Sequence, residues 1–346
     1  MSEPRSQVPQ STAPMEARLV DRLPEGEGWQ FEPKWDGFRC LAFRDGDDVA
    51  LMSKSGKPLQ RYFPEVVATL LELPERRFVV DGELVVPVGR SLSFAALQSR
   101  LHPAASRIAK LSAETPAELI AFDCLQVGST VLLDQPLDAR REHLETLSGD
   151  FPESIRLSPY TYRSDVADRW LEQTGGALDG VVAKRRDEPY RPGERAMFKH
   201  KVQRTADCVV GGFRHDRTGE AVASLLLGLF DEKGLLHHVG YTSSFSAAER
   251  KELSGILVPL KGESAFTGSA PGGASRWTKA GRSSEWVAVE PVMIAEVTYD
   301  QVTGGRFRHG TTFRRWRPDK RRDQCTFDQL AAELRPEQIE QILKTR

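Results

Sequence analysis

The sequence predicts an α+β protein of two domains, a larger half built from antiparallel sheets flanked by helices and a smaller β-barrel behind it. Its 346 residues suggest two domains at roughly 100–200 residues each. With 39% apolar and 28% charged residues, the chain has the profile of a globular protein. The texture also changes near residue 204. Before it, helical and strand-like segments alternate; after it, short β-rich runs follow one another through glycine-containing turns.

Taken in order, residues 1–14 are rich in Ser, Pro and Gln with no apolar centre, and read as a disordered tail and not a signal peptide. Domain one is assigned to 15–203. WQFEPKWDGFRCLAFRDGDDVALMS reads as strands broken by Asp-Gly turns, with a hairpin at Gly46. RFVVDGELVVPV reads as an apolar pair split at Asp81-Gly82. SLSFAALQSRLH predicts a helix capped by Ser93, with Phe94, Leu97 and Leu101 at helical spacing. ELIAFDCLQV predicts a buried strand and LDARREHLETL an amphipathic helix. Domain two, 204–346, holds the strands ADCVVGGFRHD, AVASLLLGLFD and LLHHVGYTS. A helix over SAAERKELSGILVPL comes next, then a Gly/Ser-rich loop from 262 to 284. Strands return in WVAVEPVMIAEVTYD and RFRHGTTFRRW, and a C-terminal helix closes the chain. About five strands with one helix suit a barrel of OB type, a fold that commonly binds nucleic acid.

No apolar run approaches the ~20 residues of a membrane-spanning helix, so no membrane partner is expected. Cys40, Cys124, Cys208 and Cys325 are widely spaced without a Cys-x-x-Cys pair. They read as buried thiols of a reducing, cytoplasmic compartment and argue against a zinc site. Net charge is −1, yet basic residues cluster over 184–204 and 306–322. A charge run is usually a solvated face, but two such clusters on a neutral chain suggest a local phosphate surface.

The sharpest feature is Glu32-Pro33-Lys34-Trp35-Asp36-Gly37-Phe38-Arg39. A lysine attacks phosphorus only as the free amine, and here it stands at a strand end before a glycine turn, where backbone can approach a ligand closely. Arg39 is suited to clamp ribose or phosphate. Asp81-Gly82-Glu83 and Asp179-Gly180 each place a carboxylate beside a buried strand. Lys199 and Lys201 share one face of an extended segment, which is costly unless an anion lies between them. A triphosphate suits that gap. Phe122 is a core aromatic by default and a purine platform in the functional reading.

In their order and spacing these islands resemble the covalent nucleotidyltransferases, the superfamily of DNA ligases, RNA ligases and mRNA capping enzymes. Lys34 to Arg39 matches the KxDGxR motif, and Ser53-Lys54-Ser55-Gly56, Asp81-Gly82-Glu83 and Phe122-Asp123 resemble the next three. Asp179 to Lys184, Lys199-His200-Lys201 and Arg317-Pro318-Asp319-Lys320 resemble the last three. YRPGERAMFKHKVQRTADCVVGGFR, SRWTKAGRSSEW and RFRHGTTFRRWRPDK are similar to the short bacterial ATP-dependent ligases of the ligase C type.

The resemblance implies an adenylation domain followed by an OB-fold domain. It also implies AMP linked to Lys34, with Glu32 reading the adenine amino group and Phe122 stacking on the base. Arg39, Lys54, Glu83, Lys199, Lys201, Arg317 and Lys320 would hold ATP, and Glu83 and Asp179 would hold Mg²⁺ or Mn²⁺. The implied partner is nicked duplex DNA, sealed by a monomer that acts in DNA repair at the nucleoid. Three positions depart from the pattern: Lys54 stands for an arginine, Asp179 for a glutamate and Met197 for a tryptophan. An RNA ligase, a GTP-using capping enzyme and a non-catalytic nucleic-acid-binding module are the rival readings.

Overall fold

The computed structural model describes residues 6–330 other than 89–90, 174–177, 202–203, 217, 220, 270 and 272–284. They form two compact units, one of the described residues up to Lys201 and the other of those from Arg204 onward.

The first unit opens with β1 (Ala17–Leu19), β2 (Trp29–Pro33), β3 (Phe38–Asp45) and β4 (Asp48–Ser53). Then come α1 (Pro64–Glu72), β5 (Arg77–Val85), the short β6 (Pro87–Val88) and β7 (Ser91–Leu92), α2 (Phe94–Ser99) and α3 (Ala105–Glu114). It continues through β8 (Glu118–Val127), β9 (Thr130–Val131), α4 (Leu137–Ser148), β10 (Ile155–Leu157), α5 (Ser164–Gln173), β11 (Val181–Arg185) and β12 (Met197–His200). One sheet runs β10-β8-β5-β3-β4 and the other β1-β12-β11-β2. Pairing is antiparallel except at one edge of each, where β10 lies parallel to β8 and β1 parallel to β12.

Local chemistry sets several of these elements. Gly46 turns the β3–β4 hairpin with φ 64°, and Ser93 caps α2 by accepting a hydrogen bond from the Ala96 amide at 3.2 Å. Strand β8 is buried along both faces, which explains its near-continuous apolar run. On one face Cys40, Val80, Leu84 and Cys124 pack with Val66 and Leu70 of α1, Leu97 of α2 and Leu144 of α4. On the other, Leu41, Phe43, Val79 and Leu125 pack with Met197 of the second sheet and with Val8, Met15 and Tyr190.

Three expectations change. Residues 6–14 do not form a disordered tail. Val8 is 1% exposed, and the Gln126 side chain pins the segment down because it offers a buried acceptor to three successive donors. Asp81-Gly82 is no turn, since β5 runs straight through it with Asp81 wholly buried. The carboxylate is tolerated there because Arg39 neutralises it. WVAVEPVMIAEVTYD is split into β16 (Val287–Ala288) and β17 (Ile294–Tyr299) around Pro291. The expected C-terminal helix falls almost wholly on 331–346, outside the described residues.

The second unit contains β13 (Arg204–His215), β14 (Val222–Phe230), β15 (Leu236–Thr242), α6 (Ala247–Leu257) and β16–β17. The short β18 (Val302–Thr303) and β19 (Arg306–Phe307) follow, then β20 (Thr312–Trp316). The antiparallel sheet runs β15-β14-β13-β17-β20. Its two edges meet where Thr242 bridges Thr311, with the Thr311 amide donating to the Tyr241 carbonyl at 3.0 Å. Edge closure of this kind, with one helix between strands, is the OB-type barrel. Helix α6 starts in a capping box between Ser246 and Glu249.

Candidate active site

Lys34 follows the last residue of β2, where the β2–β11 ladder continues into the turn. Its amide donates to the Gly180 carbonyl at 2.9 Å, and the Asp179 amide donates to the Lys34 carbonyl at 3.2 Å. Gly180 makes this possible, since its φ is 152° and a Cβ there would sit 2.2 Å from the His200 carbonyl oxygen. The Lys34 ammonium is ion-paired to one oxygen of Asp179, and Lys201 reaches the other at 3.1 Å. Burial opposes the ionised form of Asp179, but Lys34 and Lys201 outweigh it and hold the carboxyl below its usual range.

Strands β3 and β5 bring Arg39 opposite Glu83 and Leu41 opposite Asp81, so Arg39, Asp81 and Glu83 share a face. Arg39 donates to Asp81 through Nε and Nη2, each at 2.6 Å. Burial works against the charged guanidinium, yet Asp81 more than compensates and raises its pKa. The Glu83 side chain, half-buried, makes no hydrogen bond or ion pair with a described residue. Burial pushes its carboxyl up to about 7, with Arg39 and Lys34 pulling the other way.

Pairing between β5 and β8 slips by one residue at Asp81/Gly82, leaving Phe122 unmatched between Ala121 and Asp123. Such a bulge re-aims a side chain, and the Phe122 ring lines the cleft with the Arg39 guanidinium 4.6 Å and the Lys184 ammonium 4.8 Å from its centroid.

Glu32 is 2% exposed and held by Lys184 at 2.8 Å and by the Gln30 amide at 2.7 Å. Lys184 also donates to the Phe122 carbonyl at 3.2 Å. Lys54 meets Glu16 at 3.0 Å. Burial, followed by the charges of Lys34, Lys201 and Lys54, lowers the pKa of Lys199.

A single cleft of about 220 Å³ is lined by Glu32, Lys34, Arg39, Lys54, Glu83, Phe122 and Lys199 together. Asp179 and Lys201 adjoin it through Lys34. Arg317 and Lys320 belong to the second unit, where Asp207 pairs with Arg317 at 2.8 Å and with Lys320 at 3.2 Å. Sequence reasoning missed Met15, Glu16 and Tyr190, and it named Lys184 without seeing that it holds Glu32. No local signal marks them, because Met15 meets Tyr190 across 175 positions and Tyr190 meets Asp81 across 109.

Among the described residues no three His, Cys, Asp or Glu side chains form a metal cage. A hard divalent ion that keeps water and phosphate ligands needs only one or two carboxylates. Glu83 fits such an ion, being a half-buried carboxyl without a cationic hydrogen-bond partner. Both oxygens of Asp179 are engaged by lysines.

Residues 13–201 match the family described as the ATP dependent DNA ligase domain, and 218–320 match the ATP dependent DNA ligase C terminal region. The chain is 46% identical over 335 residues to DNA ligase C2 of Mycolicibacterium smegmatis, covering 92% of this chain and 94% of that one. It is 42% identical over 340 residues to DNA ligase C of Mycobacterium tuberculosis, covering 93% and 94%. A solved mycobacterial DNA ligase D complexed with ATP and MES is similar with a TM-score of 0.50 and 30% identity, over 92% of this chain and 98% of that one. The first unit, with its cleft around Lys34, and the barrel of the second unit thus carry a family likeness along nearly the whole length, and the chain belongs to the ATP-dependent DNA ligases, of the bacterial ligase C type.

Proposed function

We propose that this ATP-dependent DNA ligase, acting in DNA repair, seals nicks bearing 3′-hydroxyl and 5′-phosphate ends through AMP carried on Lys34. The observation that carries this reading is the convergence of seven separately spaced residues on one cleft with Lys34 at its wall.

Adenylation begins when the Lys34 amine, released from Asp179 and without its proton, attacks the α-phosphorus of ATP. A P–N bond forms, the bond to the bridging oxygen breaks, and pyrophosphate leaves. Phe122 stacks on the adenine and Glu32, held rigid by Lys184, accepts from its amino group. Lys54, Lys199 and Lys201 take the phosphate charge, and Arg317 and Lys320 of the second unit meet the leaving pyrophosphate. The 5′-phosphate oxygen of the nick then attacks the same phosphorus, transferring AMP to DNA and returning Lys34. Last, the 3′-hydroxyl attacks the activated 5′-phosphate, closing the backbone and releasing AMP. Mg²⁺ or Mn²⁺ held by Glu83, with Asp179 as a second carboxylate once Lys34 departs, would neutralise phosphate charge. The chain works as a monomer on nicked duplex DNA in the cytoplasm.

The test is a denaturing gel after incubation with Mg²⁺ and α-labelled ATP or GTP. Label from ATP that survives denaturation and disappears on addition of nicked DNA is the expected result, and Lys34→Ala should fold and carry none. Label on Lys34→Ala overturns the nucleophile, and label from GTP alone overturns the ligase reading.

A further inference from the structure

Arg39 lines the cleft, but the residues that hold it still come from three distant parts of the chain. The Asp81 carboxylate takes its Nε and Nη2, and the Met15 carbonyl accepts from Nη2 at 3.2 Å. The Met15 amide donates to the Tyr190 hydroxyl at 2.8 Å, and that hydroxyl donates to Asp81 at 2.6 Å. Burial first, and the Asp81 carboxylate second, keep the Tyr190 hydroxyl protonated, so it remains a donor. The four groups close a ring of hydrogen bonds. Within it the guanidinium is held 4.6 Å from the centroid of the Phe122 ring, and its Nη1 makes no hydrogen bond among the described residues.

The ring is in turn anchored from outside the cleft. The Gln126 side-chain carbonyl accepts from the Ser6 hydroxyl at 3.0 Å and from the Gln7 and Val8 amides at 3.1 and 3.2 Å. Its amide nitrogen donates to the Gly128 carbonyl at 2.9 Å, which fixes which end of Gln126 faces the strap. Val8, 1% exposed, is buried in the same core as Tyr190 and Met15. From this anchor the chain runs to Pro14, Met15, Glu16 and Ala17, which form one wall of the cleft.

We infer that residues 6–16 and Tyr190 are positioning elements of the nucleotide site, a strap and a hydroxyl that hold Arg39 in the orientation ATP binds. This rests on the reading of the cleft as the ATP site. Arginine has many rotamers, and a guanidinium fixed before binding loses less freedom when a ligand arrives. Tyr190 and Gln126 act through Arg39, so their loss weakens ATP capture and leaves the transfer step alone.

The full-length chain is tested as Tyr190→Phe and Gln126→Leu, measuring single-turnover adenylation across an ATP titration. Each variant should raise the apparent KM for ATP about five- to tenfold, as expected for a lost hydrogen bond within a charged network. The maximal rate should stay within about twofold of the parent, because the attacking group is untouched. The double variant should fall well short of the product of the two, since both act through one chain of contacts. A KM unchanged in Tyr190→Phe overturns the inference, and so does a lower maximal rate at unchanged KM. If Gln126→Leu melts the fold, Tyr190→Phe alone decides. A parent chain that never acquires covalent AMP overturns the ligase reading, and the strap's role with it.

Discussion

Glu83 shows how a single side chain can report on the site. Its carboxyl sits near 7 in the folded chain against an ordinary 4.5, chiefly because it is buried. Between those values the folded state holds a proton that the unfolded state has released, so stability falls as pH rises through that window. Glu83→Gln removes the effect. Its melting temperature should match the parent below about pH 4.5 and exceed it at pH 8, and adding Mg²⁺ at pH 8 should raise only the parent's. A gap between the two that does not change with pH would mean that Glu83 is not desolvated. Lys34 and Arg39 were legible as a pair from their spacing, since the short turn between β2 and β3 joins the end of one strand to the start of the next. The partner of Glu32 was not legible, because Lys184 pairs opposite Gln30 and reaches Glu32 diagonally only once β2 and β11 are in register.

Among the elements, the turn before β11 is the most exposed to change. Gly180→Ala puts a Cβ against the His200 carbonyl and strains a φ of 152°. The expected cost is about 1–3 kcal/mol or more, read as a drop in melting temperature. Adenylation should fall further than stability alone explains, because the Gly180 carbonyl holds the Lys34 amide. Normal labelling at full stability would remove the turn from the site. Most of the elements were readable from their patterns: the Gly46 hairpin, the Ser93 cap and the apolar run of β8. Strand β5 was misread because Asp-Gly ordinarily signals a turn. Arg39 from β3, with the Tyr190 hydroxyl, lets Asp81 stay in a buried strand.

At the scale of the whole molecule, the basic residues are more heavily paired than their clustering suggests. Arg185, Arg186 and Arg191 face Asp187, Asp138 and Glu188, and Arg315 and Arg321 face Glu296 and Asp323. Exposed pairs of this kind are weak and exchange readily for phosphate. Affinity for a nicked duplex should therefore fall steeply and log-linearly with salt, by about a thousandfold between 50 and 200 mM if six or more phosphates are met. A flat response in a binding titration would refute a DNA surface built from both clusters. Arg317→Ala should cut adenylation by about a hundredfold, yet leave sealing of pre-adenylated nicks within a few-fold. Equal loss in both assays would place Arg317 elsewhere in the cycle.

The sequence by itself determined the two-part α+β architecture, the OB-type barrel and the lysine proposed to carry AMP. These are written in periodicity, turn residues and short motifs, which act within a few residues of one another. Tertiary structure alone decided that residues 6–14 form a strap, that Phe122 sits on a bulge, and that Tyr190 joins Met15 to Asp81. Those contacts span 175 and 109 positions of the chain. Separations of that length leave no periodic trace, because only the packing of both sheets over a shared core brings the groups within hydrogen-bonding reach.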